Sequence, residues 1–307
     1  MNDTMKKQLI FVLMICVIVM TACSQERGRE QISEDERGAA ALPAAAPRAA
    51  IDARPFLSEE ELRRSLSEGS GNTGQESLLD AEQEPVKALV VPHHTVAASL
   101  TAECVSRLTT QQPPAIIILA PNHYNVGSAA IGSASDFQCY GRKISTDAGA
   151  LMRLADAGLI SVNAQPFARE HSVGMLLPII AWYLPDTKVI PIIFHHRYDS
   201  DQIAGIIRAL KPEIDEGAVI IASIDFSHYL PMEEAEEKDQ EMREYLMKGD
   251  LTTISKLDSS YIDSPTIMAA LLSCFGTENM RIIANTNSGR IMRNPVSPCT
   301  SYFTIQF

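Results

Sequence analysis

Short runs of β-branched and other apolar residues recur along this chain, at 87–91, 115–120, 189–194, 218–223 and 281–284. Within them the apolar character is nearly continuous and does not alternate with polar positions. That pattern suits strands covered on both faces, as in a parallel sheet, better than strands with one wet face. Between the runs lie segments of helical pattern at about 96–109, 147–157, 173–184, 201–211, 232–248 and 265–275. Regular strand–helix alternation predicts an α/β fold: a single domain with a mostly parallel central sheet flanked by helices. The closing segment, 300–307, alternates Tyr302, Thr304 and Gln306 against Phe303, Ile305 and Phe307, which predicts an antiparallel edge strand.

The N-terminus follows a different pattern. Lys6 and Lys7 precede a run of twelve apolar residues, 9–20. As a helix that run reaches only ~18 Å, short of the ~20 residues a spanning helix needs, and its length is that of a signal-peptide core. It ends in Met20-Thr21-Ala22-Cys23, which resembles a bacterial lipobox. The expectation is a lipoprotein signal peptide over 1–22, with acyl chains on Cys23 anchoring the protein to a membrane. The alternatives are a secretory signal cleaved near Ala22 and an uncleaved anchor. Ser24 stands where an Asp would signal inner-membrane retention, so the expected location is the bacterial cell envelope, at the outer membrane facing the periplasm. Residues 23–50, rich in Ala, Pro, Glu and Arg, read as a disordered tether, and 51–307 as the α/β domain. Ser58 reads as the cap of a short helix with Glu59, Glu60 and Glu61 in its first turn. Residues 67–74 read as a flexible loop.

Charge narrows the functional class. The chain has 26 Lys+Arg against 38 Asp+Glu, a formal net charge of −12, so it lacks the basic footprint of a general nucleic-acid binder. Cys104, Cys139, Cys274 and Cys299 form no CxxC pair, which argues against a zinc ribbon, and their spacing fixes no disulfide pattern.

The histidines carry the chemistry. Six of the seven follow predicted strands: His93 and His94, His123, His195 and His196, and His228. The seventh is His171, in Glu170-His171-Ser172, just before a helix. In open α/β sheets ligands bind beyond the carboxyl ends of the strands, and imidazole offers either a metal ligand or a proton near neutrality. Several strand exits supplying histidine therefore point to one shared site, with His94 and His196, each second in a doublet, as the expected bystanders.

At these positions the chain resembles the Memo family, in particular the bacterial AmmeMemoRadiSam system protein B. The matching pieces are Pro92-His93, Ala120-Pro121-Asn122-His123, Glu170-His171-Ser172-Val173 with Leu177-Pro178, and Ser223-Ile224-Asp225-Phe226-Ser227-His228-Tyr229. The family is similar in fold to the catalytic subunit of class III extradiol dioxygenases, which hold non-haem Fe(II). The resemblance implies His93 and His123 as metal ligands, His228 as acid/base, and Glu170 and His171 lining the same cleft. Asp225 is expected to orient a neighbouring histidine. Two departures stand out. The family usually has Pro-His-Ala-Gly-Tyr where this chain has Pro92-His93-His94-Thr95-Val96, and its third ligand is a Cys where this chain has Tyr261-Ile262-Asp263-Ser264-Pro265. Asp263 then either completes a two-histidine, one-carboxylate set or, with Ser264, caps the helix beginning at Pro265.

The expected function is a cleft holding a single Fe(II), Cu or Zn ion, with redox or hydrolytic activity on an unidentified substrate. The alternative is a non-enzymatic module that binds a small-molecule or protein ligand in an AmmeMemoRadiSam-type system.

Overall fold

The computed structural model describes residues 50–71, 85–196, 198–296 and 298–307. The expected signal segment, Cys23 and almost all of the tether lie outside the described residues, as do 72–84. Among the described residues no helix is long and apolar enough to cross a membrane.

Eleven strands are described: β1 (Ile51–Asp52), β2 (Ala88–Val91), β3 (Ala115–Pro121), β4 (Ala130–Gly132), β5 (Phe137–Cys139), β6 (Arg142–Ile144), β7 (Ser161–Val162), β8 (Lys188–Phe194), β9 (Val219–Ser223), β10 (Arg281–Asn287) and β11 (Ser301–Gln306). Eight of them form one sheet in the order β10-β11-β2-β9-β3-β8-β4-β7. Its centre, β2-β9-β3-β8, is parallel throughout. A separate sheet joins β1, β5 and β6.

The central strands are apolar on both faces because both faces are covered. Ala88 and Val90 of β2, Ile117 and Leu119 of β3, and Ile220 and Ala222 of β9 enter one core. There they meet Met242 and Leu246 of the helix Met232–Lys248 and Ile203, Ile206 and Ile207 of the helix Ser200–Ala209. The alternate residues Leu89, Val91, Ile116, Ile118, Val219 and Ile221 enter the other core. This one includes Ala98, Ala102 and Val105 of the helix Ala98–Ser106 and Leu176, Leu177 and Ile180 of the helix Leu176–Tyr183. The two-residue period of a strand thus divides each run between two helical layers.

Beyond β2 the chain passes to the second layer, and beyond its neighbour β9 to the first. Adjacent parallel strands whose connections leave to opposite faces open a crevice at their carboxyl ends. The expected helices are all present. Ser58 caps the helix Glu59–Gly71 through a reciprocal pair: its Oγ accepts from the Glu61 N–H at 3.2 Å, and the Glu61 carboxylate accepts from the Ser58 N–H at 2.8 Å.

Two expectations are corrected. The loop expected from Ser67 begins as helix, which continues to Gly71. The closing strand β11 is antiparallel as expected but internal, because β10 pairs outside it and takes the edge. Its polar positions are not solvated: Tyr302 and Thr304 are both buried.

The short helix His171–Gly174 is set against the Arg54–Phe56 turn by close packing. A Cβ on Gly174 would lie 2.1 Å from Cδ2 and 2.4 Å from Cγ of Phe56. Gly→Ala in a helix ordinarily gains up to ~1 kcal/mol, but forced overpacking costs ~1–3 kcal/mol. Gly174→Ala is therefore expected to destabilise the fold by about 1–2 kcal/mol net, read as a lower midpoint in denaturant unfolding. An unchanged or raised midpoint would contradict this packing.

Candidate metal centre

Three neighbouring parallel strands deliver the first side chains. β2 runs into Pro92-His93, β3 into Asn122-His123, and β9 into Ile224-Asp225. The helix His171–Gly174 brings His171 from above. The ring centroids of His93 and His123 are 5.1 Å apart, those of His93 and His171 5.3 Å, and those of His123 and His171 4.1 Å. One ligand nitrogen from each of the three lies within 4.8 Å of the other two, close enough to hold one metal ion. They open into a cavity of about 590 Å³ lined by five imidazoles, His93, His94, His123, His171 and His228, and by Asp225 and Asp263.

The ring orientations follow from buried partners. His93 is 2 % exposed, with its Nδ1 3.0 Å from Ser223 Oγ. The Ser223 hydroxyl proton is already committed to the Ser172 carbonyl at 2.6 Å. Ser223 therefore accepts from Nδ1–H, which leaves the lone pair of His93 on Nε2. Burial, then the neighbouring imidazoles His123 and His171, push the pKa of His93 well below its ordinary value, so the ring is neutral.

His123 is oriented by Glu170, which is 1 % exposed. The carboxylate accepts from the His123 backbone N–H at 2.9 Å and lies 2.7 Å from its Nδ1, which carries a proton towards it. It also accepts from the Ser172 backbone N–H and hydroxyl. Burial opposes the charge of Glu170, but these bonds outweigh it and hold the carboxyl below its usual range. Burial likewise pulls His123 down, but the hydrogen bond and charge of Glu170, with Asp263 and Asp225 behind, raise it above 6.5. Both His93 and His123 thus use Nδ1 on a structural partner and keep Nε2 for the cavity. That is how metal-binding histidines are commonly held.

Asp225 holds a neighbouring histidine by its backbone. Its Oδ1 accepts from the His93 backbone N–H at 3.0 Å, and its Oδ2 is 3.6 Å from His93 Nε2. It therefore fixes the β2 exit and acts on the ring of His228 through its charge. Asp263 does not cap the helix Pro265–Phe275. The residue at that end is Ser264, whose side chain makes no capping bond. The Asp263 carboxylate turns into the cavity, with Oδ2 3.3 Å from His93 Nε2 and Oδ1 buried without a hydrogen-bond partner. Burial and the adjacent Asp225 charge push it well above the ordinary carboxylate range. A lone pair on His93 Nε2 facing a carboxylate oxygen at 3.3 Å calls for a positive centre there, either a proton on Asp263 or a metal ion. The donor set fits a borderline metal, which imidazole nitrogen suits.

The fold brings together His93, His123, His171, Glu170, Asp225, His228 and Asp263. The grouped nitrogens are those of His93, His123 and His171, while Asp263 stands beside His93 alone. His195 and His196 turn away: His196 Nδ1 lies 2.8 Å from Asn125 Oδ1, and His195 Nε2 lies 3.5 Å from the Val126 carbonyl. Sequence reasoning missed Phe56, set His94 aside as a bystander, and gave Ser223 and Tyr229 no role beyond their place in a matching motif. His94 had the same strand-exit signal as His93. Ser223 opens the motif that ends at Tyr229, but nothing in that motif marks it as the partner of His93.

A proton and a metal compete for His123. Its pKa is raised by folding, so in metal-free protein it contributes stability fully present below 6.5 and lost as pH rises through the folded value. Metal affinity is expected to run the other way, rising with pH across that same window. Glu170→Gln removes the charge that raises His123 and should weaken metal binding roughly 10- to 100-fold. Its proton release on loading should also move to lower pH, as read by competition with a chelator and by calorimetry in two buffers. Affinity equal to wild type would separate Glu170 from the site.

Similar proteins share this domain. The family described as Memo-like protein matches residues 57–305. A MEMO1 family protein of Caldivirga maquilingensis is 27% identical over 222 residues, covering 66% of this chain and 77% of that one. Another, from Pyrobaculum arsenaticum, is 28% identical over 214 residues, covering 65% and 76%. The crystal structure of an uncharacterized protein from Escherichia coli K12, JW3007, aligns with a TM-score of 0.49 at 15% identity, over 71% of this chain and 99% of that one. With the family match spanning nearly the whole α/β domain, the chain belongs to the Memo-like protein family.

Proposed function

We propose that the cleft holds one Fe(II), Cu or Zn ion on the imidazoles of His93, His123 and His171, and uses it to transform a small molecule by redox or hydrolytic chemistry. The observation that carries this reading is the convergence of three imidazole nitrogens within 4.8 Å of one another, two of them with Nδ1 held by buried partners. Such an ion supplies Lewis-acid polarisation of a substrate oxygen, and electron transfer where the metal is redox-active. Of the carboxylates, Asp263 is placed to complete the surroundings next to His93.

The remaining work falls to this chain's own groups. His228 lines the cavity, and its Nδ1 is buried without a hydrogen-bond partner. Burial lowers its pKa while the Asp225 charge opposes that shift, so the ring stays neutral and able to take a proton. Asp225 then stabilises the charged ring electrostatically. A neutral imidazole facing the cavity with a carboxylate behind it is suited to act as a general base. At about 590 Å³ the cavity falls within the size range of small-molecule sites.

The same reading places the domain on a lipid anchor at Cys23, at the outer membrane facing the periplasm. Its supports are the twelve-residue apolar run and Met20-Thr21-Ala22-Cys23.

Two measurements test these readings. Metal analysis of protein purified without chelators should find about one ion per chain, lost in His93→Ala and His123→Ala and retained in His195→Ala. Metal content unchanged in the first two variants overturns the site. In cells fed labelled fatty acid, label should enter the wild-type chain and not Cys23→Ser; label persisting in that variant overturns the anchor.

A further inference from the structure

Trp182, the chain's one tryptophan, is 48 % exposed at the end of the helix Leu176–Tyr183. Indole in water forgoes much of the burial that usually makes it stabilising. Arg142 lies over the ring, its guanidinium carbon 5.0 Å from the ring centroid, and donates to the Ala181 carbonyl at 3.3 Å. The backbone of Arg142 is set by a tight hairpin. Cys139 of β5 pairs with Arg142 of β6 across Tyr140 and Gly141, which stand at φ 47 and 75, as the favoured two-residue hairpin turn requires. The Tyr140 hydroxyl donates to the Leu57 carbonyl and ties this turn to the start of the domain.

The charges around the pair are matched except for one. A cavity of about 480 Å³ beside the turn is lined by Arg54, Arg142, Lys143 and Glu59, with Tyr140 and Gln138. Arg54 is paired with Asp52, Lys143 with Asp136, and Glu59 with Arg63. Arg142 makes no ion pair among the described residues, and it is exposed. This face thus carries a surplus positive charge in a chain whose formal net charge is −12.

The chain also enters the domain here. β1 pairs with β5: the Ile51 N–H donates to the Asp136 carbonyl at 2.8 Å, and the Ala53 N–H to the Gln138 carbonyl at 2.9 Å. Cys23 stands 27 residues before residue 50. A flexible chain of that length spans roughly 30 Å, and a domain tethered so near a bilayer needs only weak attraction to settle one face on it. Anionic headgroups repel acidic faces. A surplus arginine beside an exposed tryptophan suits them, since indole favours the headgroup level and guanidinium binds phosphate.

We propose that the Arg142–Trp182 face is the membrane-docking surface of this domain, with Trp182 at the headgroup level of a phospholipid bilayer and Arg142 on a lipid phosphate. The proposal rests on the lipid-anchor reading for what brings the bilayer near, and it is independent of the metal centre.

Trp182 is its own reporter. The full acylated chain, reconstituted in vesicles of phosphatidylethanolamine and phosphatidylglycerol, should show Trp182 emission shifted to the blue and quenched when the lipid is brominated. Arg142→Glu should keep its acyl label and lose most of that quenching, and Arg142→Lys should retain more of it, as a charge effect requires. Cys23→Ser, titrated with the same vesicles, should respond saturably at higher lipid concentration. Adding Arg142→Gln to that chain should weaken the response about fivefold, the scale of one cation at an anionic surface. Trp182 emission unmoved by vesicles, or quenching equal in wild type and Arg142→Glu, overturns the proposal. A Trp182 that stays exposed on vesicles and is covered only when envelope proteins are added assigns the face to a protein partner and overturns it too. Absence of acyl label from the wild type would defeat the anchor, while the Cys23→Ser titration would still decide the face.

Discussion

The site depends on one buried carboxylate with both oxygens occupied. Glu170 accepts from the His123 backbone, the His123 ring, and the backbone and hydroxyl of Ser172. Those groups belong to two separate pieces of chain, the exit of β3 and the helix carrying His171. A buried anion is tolerated only when nearly all its acceptor capacity is used, so these two pieces must stay together for the fold to carry the charge. Ser172 extends the tie: its one hydroxyl proton is shared between Glu170 and the Pro121 carbonyl, and its carbonyl accepts from Ser223 at the end of β9. The same short segment thus connects β3, β9 and the orientation of His93.

The parallel sheet supplies the rest of the geometry. Adjacent strands are ~4.8 Å apart, so β2 and β3, with β9 between them, end about two strand spacings from each other. Side chains as long as histidine close that gap, and the His93 and His123 rings approach to 5.1 Å. Because β9 sends its chain to the opposite layer, no helix start from that strand fills the space above it. Asp225 and His228 occupy that space instead. The crevice is a consequence of connection handedness, and the imidazoles occupy it because they follow the strands that border it.

Much of this was legible from residue order. Apolar continuity in 115–120 and 218–223 reported burial on two faces, and the residues after those runs reported the site. The closing strand misled because alternation was taken as solvation. Tyr302 and Thr304 are polar yet buried, and the phenol is satisfied by His94, a partner 208 residues away. The strands of two or three residues, β1, β4, β5, β6 and β7, are too short to show any period. The third imidazole was ambiguous for a related reason. His171 sits on a helix whose approach is set by the packing of Gly174 on Phe56, and neither residue resembles a site residue. Asp263 had the better local signal, but its position relative to His93 is fixed by the pairing of Phe226 with Ile262, which no spacing reveals.

Each orienting partner also decides the electrical character of its ring. Ser223 can only accept from His93, since its own proton is spent on Ser172. Glu170 can only accept from His123, and its negative charge makes that ring more basic. Tyr302, buried on β11, shares a hydrogen bond of 2.6 Å with His94 Nδ1. Two rings within one cavity therefore differ although both are imidazoles: one is a neutral lone-pair donor and the other a basic ring held by an anion. Asp263 adds a carboxylate with Oδ2 beside the first of them and Oδ1 buried without a partner. Structural histidines have no need of such sorting, because a satisfied core imidazole needs partners on both nitrogens. Here His93 and His123 each have one nitrogen bound to the scaffold and the other turned toward a cavity. That asymmetry, more than the number of histidines, argues that the cavity is built to hold something.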